Sequence, residues 1–100
     1  MEKEEIILKT KQKIDEINRK VKEIKDKVEK NTNETIQEQG EKILQELNEI
    51  SERVQQEYTK LGLSENQTEQ KISEMEKNIY NSIKSFDTAF KRAGSIFRTR

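Results

Sequence analysis

An apolar stripe of helical period runs almost the whole length of this chain, and no proline interrupts it. Ile14, Ile17, Val21, Ile24 and Val28 follow a 3-4-3-4 spacing. Ile36, Ile43, Leu47, Ile50, Val54, Tyr58 and Leu61 continue it at intervals of three, four or seven. Ile72, Met75, Ile79, Ile83, Phe86, Phe90, Ala93 and Phe97 restore it toward the C-terminus. Residues three and four apart share one face of an α-helix, whereas a strand would need alternation. The chain is therefore expected to be all-α and to work by packing helices together.

Two breaks divide the stripe. At Asn31-Thr32-Asn33 the apolar positions lapse, and Asn and Thr favour helix N-caps over helix interiors. At Leu61-Gly62-Leu63-Ser64-Glu65-Asn66-Gln67 a stop and a start lie side by side. Gly62 suits the C′ position of a Schellman stop, Ser64 with Gln67 reads as a capping box, and Leu63 is placed for a hydrophobic staple. The pattern predicts three helices over about 3–30, 33–61 and 65–93, a single domain over 1–93, and a basic tail over 94–100 loosened by Gly94. Three equal helices with short joints form an antiparallel three-helix bundle. A long helical hairpin or coiled coil, running on through Asn31–Asn33, satisfies the same periodicity. Isoleucine at successive core positions favours three- or four-stranded packing in either case.

Composition narrows the functional classes. Hydrophobic residues make up 29% of the chain and charged residues 40%, which suits exposed helices with a narrow seam. The net charge is zero but segmented: residues 1–30 carry +2, residues 31–70 carry −6 and residues 71–100 carry +4. That order suits an acidic middle helix in contact with two basic neighbours. There is no histidine and no cysteine. The usual general base near neutral pH, the thiolate nucleophile and the preferred zinc ligands are thereby missing, so neither enzymatic activity nor a cofactor is expected. The three glycines at 40, 62 and 94 are isolated and form no phosphate loop. The carboxylates fall beside lysines, as in the i,i+4 pairs Glu23/Lys27, Asp26/Lys30 and Glu38/Lys42. No segment approaches the roughly 18 apolar residues of a membrane span, and the expected localisation is cytoplasmic. Asn33-Glu34-Thr35 and Asn66-Gln67-Thr68 match the glycosylation pattern but read better as capping and turn residues.

The predicted packing seam comprises Ile14, Ile17, Val21, Ile24, Val28, Ile36, Ile43, Leu47, Ile50, Val54, Ile72, Met75, Ile79 and Ile83. Gln39 falls between Ile36 and Ile43 and is a candidate polar layer that sets register among helices. Gly40 beside it marks a weak spot, since glycine inside a helix costs about 1 kcal/mol relative to alanine. The run Glu38-Gln39-Gly40-Glu41-Lys42-Ile43 resembles the centre of a Q-SNARE coil. That resemblance implies four parallel helices with Gln39 in the central buried layer and Ile36 and Ile43 in the adjacent ones. Ile50 fits the layer spacing beyond it, whereas Glu46 stands where an apolar layer belongs, with Leu47 one place off.

Near the C-terminus, Phe86, Phe90 and Phe97 are interleaved with Lys91, Arg92, Arg98 and Arg100. Such a basic aromatic face suits a partner groove or an anionic membrane surface, with nucleic acid less expected because the basic residues are few. Equally, the phenylalanines suit a core anchor for the third helix, with basic groups complementing its C-terminal dipole. The expected function is a non-catalytic helical protein-protein interaction module, an adaptor, chaperone-like or assembly subunit, with self-association as one mode. The alternatives are a Q-SNARE-like trafficking coil and a peripheral membrane or nucleic-acid binder.

Overall fold

The computed structural model describes residues 3–63 and 68–98, with side chains as far as Phe97. Three α-helices occupy them: α1 (Lys3–Lys30), α2 (Glu34–Leu63) and α3 (Glu69–Arg98). No strand occurs among the described residues. At 1.5 Å per residue each helix spans about 40–45 Å, and the bundle they form is a rod with extents of 52 × 16 × 16 Å.

The direction of each helix follows from who meets whom. Ile6 of α1, Leu61 of α2 and Ile79 of α3 cluster at one end. Val28 of α1 and Phe97 of α3 meet Gly40 of α2 at the other. The chain therefore runs up, down and up, with α2 antiparallel to its neighbours and α1 parallel to α3. This is the three-helix bundle rather than the long hairpin.

Local chemistry sets the joint between α1 and α2. The Asn33 Oδ1 accepts the Ile36 N–H at 3.1 Å and is the N-cap of α2. Asn31 Oδ1 in turn accepts the Asn33 N–H at 2.8 Å. Gln37 Nε2 donates back to the Val28 carbonyl at 3.3 Å, so the start of α2 is tied to the last turn of α1.

The second joint departs from expectation. Gly62 is helical, exposed and without a positive φ, and α2 continues through it to Leu63. It is not a left-handed stop. Leu63 is 77% exposed. The N-cap of α3 is Thr68, whose Oγ1 accepts the Lys71 N–H at 3.1 Å, and α3 starts at Glu69. The expected capping box of Ser64 and Gln67 lies outside the described residues.

Gly94 does not end α3 either. The helix runs on to Arg98 because Ile96 and Phe97 pack against the main core. Burying those side chains outweighs the roughly 1 kcal/mol that a helix-interior glycine costs.

The core divides in two. The larger cluster joins Ile14, Ile17, Ile24 and Val28 to Ile43, Leu47, Ile50 and Val54 and to Phe86, Ala89 and Ala93. The smaller joins Ile6, Leu61 and Ile79, with Ile72 and Met75 packed beside it. Ile83 touches both. The divide falls where the seam of α1 offers Thr10 and the seam of α3 offers Ser82, both 4% exposed. A hydroxyl at these positions supplies less apolar volume than the branched residues above and below, so the core thins there.

Candidate interaction surfaces

The predicted seam is the core of the bundle. Ile14, Ile17, Ile24, Val28, Ile43, Leu47, Ile50, Val54 and Ile79 are buried. Val21, Ile36, Ile72, Met75 and Ile83 are half-buried. Ile6, Thr10, Ser82 and Ala89 are buried seam residues that the predicted set lacks. Each falls on the helical register of its neighbours, so the signal was periodic but carried by small, polar or terminal residues.

Two candidate sites are corrected by the packing. Gln39 is exposed and does not form a buried layer in this bundle. Gly40 takes the inward position instead. Both lie one helical step from Ile36 and Ile43, on opposite flanks of the seam. What separates them is the neighbouring helix. A Cβ at Gly40 would stand 2.6 Å from Phe97 Cζ and 2.9 Å from Val28 Cγ2, so that space already belongs to the ring and the valine.

Phe86 is fully buried and is not a surface residue. Its ring stacks on Phe90 with centroids 6.2 Å apart and planes inclined by 12°. Phe90 and Phe97 are half-buried against the same cluster. The aromatic face of α3 thus anchors the helix. Lys91 and Arg92 are exposed, and Arg92 Nη2 donates to Glu46 Oε1 of α2 at 2.7 Å. The Arg98 side chain and Arg100 lie outside the described residues.

Charge segmentation is only partly used between helices. Arg92–Glu46 links α3 to the acidic α2. Lys20–Asp87 at 4.0 Å links α1 to α3. Among the described residues no ion pair joins α1 to α2. Of the three predicted pairs along helices, Glu23–Lys27 closes at 3.8 Å, while Asp26/Lys30 and Glu38/Lys42 form no ion pair among the described residues; Lys11–Asp15, outside the predicted set, forms at 3.1 Å. Glu16 lies between Lys13 at 3.6 Å and Lys20 at 3.4 Å. The positive charge of Lys13 first, and then Lys20, holds the Glu16 carboxyl below its ordinary value.

The surface feature that stands out is the boundary between α1 and α3, which these two helices leave open in two stretches. Near the α1 N-terminal half a groove of about 310 Å³ has Ile6, Ile79 and Ile83 as its apolar lining. Lys9, Lys13 and Lys84 rise around it, with Glu76 and Asp87. Tyr80 lines it too and is 62% exposed. Near the other end a second groove of about 640 Å³ is lined by Ile24, Phe90 and Phe97, with Glu23, Asp26, Lys27 and Lys30 around it. Lys20 separates the two, since its Nζ reaches Asp87 and lies 5.1 Å from the centre of the Phe90 ring.

Among the described residues no group of acidic side chains is placed to hold a metal ion. No described helix is long and apolar enough to cross a membrane. Comparison of the chain with protein-family models, with curated proteins and with solved structures finds no match.

Proposed function

We propose that this chain is a non-catalytic helical interaction module, an adaptor or assembly subunit that works by packing a partner's helix against its own. One observation carries the reading. α1 and α3 leave a groove between them in which the Tyr80 ring and the half-buried Ile83 present apolar surface above the core residues Ile6 and Ile79. The large hydrophobic side chains exposed among the described residues are Leu8, Leu63 and Tyr80, and Tyr80 lines that groove. An open, half-apolar furrow between two helices is the surface that a helix-in-groove partner uses.

The test is site-specific photo-crosslinking in cells that express the chain. A photoreactive residue replaces Tyr80 in the groove or Glu49 on the exposed side of α2. Discrete protein adducts are expected from position 80 and not from position 49. Absence of adducts from position 80, or the same adducts from both, refutes the reading.

A further inference from the structure

We propose that the groove between the N-terminal half of α1 and the facing part of α3 docks an acidic amphipathic helix of another protein, completing a four-helix bundle. The proposal rests on the interaction-module reading and names the chemistry of the partner.

Shape supplies the first argument. α1 and α3 run parallel, and Ile79 and Ile83 lie one helical turn apart along the groove beside Ile6. A helix laid between them would meet this lining with apolar residues at i and i+3 or i+4. Ile6 and Ile79 are each only 3% exposed and belong to the core, so the apolar surface within a partner's reach is the Tyr80 ring, 62% exposed, and the half-buried Ile83 above them.

Charge supplies the second. Lys9, Lys13 and Lys84 surround the groove, against Glu76 and Asp87. Asp87 is paired with Lys20 at 4.0 Å, and Lys13 with Glu16 at 3.6 Å. Lys9 and Lys84 form no ion pair among the described residues. The rim therefore keeps Lys9 and Lys84 against Glu76, a surplus of one positive charge beside Tyr80 and Ile83, and glutamates flanking an apolar stripe complement both. Within the chain the acidic α2 is such a partner in composition, with Arg92–Glu46 its ion pair to a neighbouring helix among the described residues. α2 carries seven acidic and three basic residues and packs its apolar seam against α1, which has ten basic and seven acidic, and α3, which has six and four. A second copy offering the same face would set lysine against lysine, so like charge opposes that pairing.

The test uses the full chain and a labelled peptide of about three heptads, with isoleucine and leucine at its core positions and glutamate beside them. A twin peptide has lysine in place of glutamate. Vesicles of phosphatidylcholine with about 30% phosphatidylserine form a third arm. Fluorescence anisotropy is expected to show binding of the acidic peptide, with the lysine twin weaker by about tenfold or more. The triple variant Lys9→Glu, Lys13→Glu, Lys84→Glu should invert that preference while keeping its helical circular dichroism. Lys84→Glu alone serves if the triple variant does not fold, and it should weaken the acidic peptide selectively. The proposal is overturned if the acidic peptide does not bind, if both peptides bind equally, or if charge reversal changes neither. Vesicle binding that the reversal abolishes, without peptide binding, overturns it in favour of an anionic membrane. If position 80 still yields protein adducts when the acidic peptide fails, the module reading stands and the acidic partner is refuted.

Discussion

Replacing Gly40 by alanine sets two effects of known sign against each other. Alanine inside a helix is favoured over glycine by about 1 kcal/mol, and α2 is regular through this position. A new Cβ would, however, meet Phe97 Cζ at 2.6 Å and Val28 Cγ2 at 2.9 Å. Carbon atoms pack comfortably at about 3.5–4.0 Å, so something must move by about 1 Å. Val28 is 5% exposed and its branched side chain has little rotational freedom. Phe97 is half-buried on the last turn of α3, and its ring yields more readily. Full burial of such a side chain contributes about 1.5–3 kcal/mol, and forced overpacking costs about 1–3 kcal/mol. Losing part of the ring's burial and straining Val28 should therefore cost about 2 kcal/mol, leaving Gly40→Ala less stable by about 1 kcal/mol.

Urea denaturation followed by circular dichroism measures this directly, provided the slope of the transition is unchanged. The cycle with Phe97→Ala isolates the cause. Once the ring is gone, Gly40→Ala should be neutral or stabilising, giving a coupling of at least about 1 kcal/mol between the two sites. A Gly40→Ala protein that is more stable by the full helix-propensity gain, with Phe97 intact, would refute the reasoning. So would a coupling of zero.

Ile50→Asp with Val54→Asp places two unpaired carboxylates at positions 6% and 0% exposed and should abolish the helical signal at 25 °C; an unchanged spectrum would mean that α2 does not face the core as described. Asn33→Ala removes the cap that receives the Ile36 N–H and should cost about 1 kcal/mol in urea melts, while Asn33→Asp should be close to neutral. Because α1, α2 and α3 satisfy one another's seams, light scattering on a sizing column should return a constant monomer mass over a tenfold concentration range; a rising mass would assign the seam to intermolecular packing. Glu16 ionises more readily in the folded chain than unfolded, so its contribution is present above the unfolded carboxylate pKa of about 4.3 and is lost as pH falls through the lower folded value. Glu16→Gln should therefore flatten the acid limb of the stability profile slightly, which urea melts between pH 3 and 6 would show; the effect is small because the side chain is 40% exposed and its ion pairs are screened by solvent.

The three helices, their seam and the cap at Asn33 are legible in the chain itself, because apolar spacing and capping chemistry act over a few neighbouring residues. Ile14 through Val28 and Ile43 through Val54 face inward as their period requires. The amino-acid types that exclude thiol and imidazole chemistry are equally plain in the sequence. Other features were decided only when the helices met. Gln39 and Gly40 are near-equivalent choices on α2, and the Phe97 ring with Val28 settles which of them turns inward. Glycine at 62 and at 94 is a local stop signal, yet α2 runs past one and α3 past the other. At Gly94 the distant core rewards Ile96 and Phe97 for continuing. The basic aromatic stretch suits a surface or a core anchor until α3 is docked, and then Phe86 proves to be wholly enclosed. The open α1–α3 groove has no signature in any one segment. It arises from two parallel helices that are both held more closely by α2 than by each other, a relation between surfaces that no local pattern encodes.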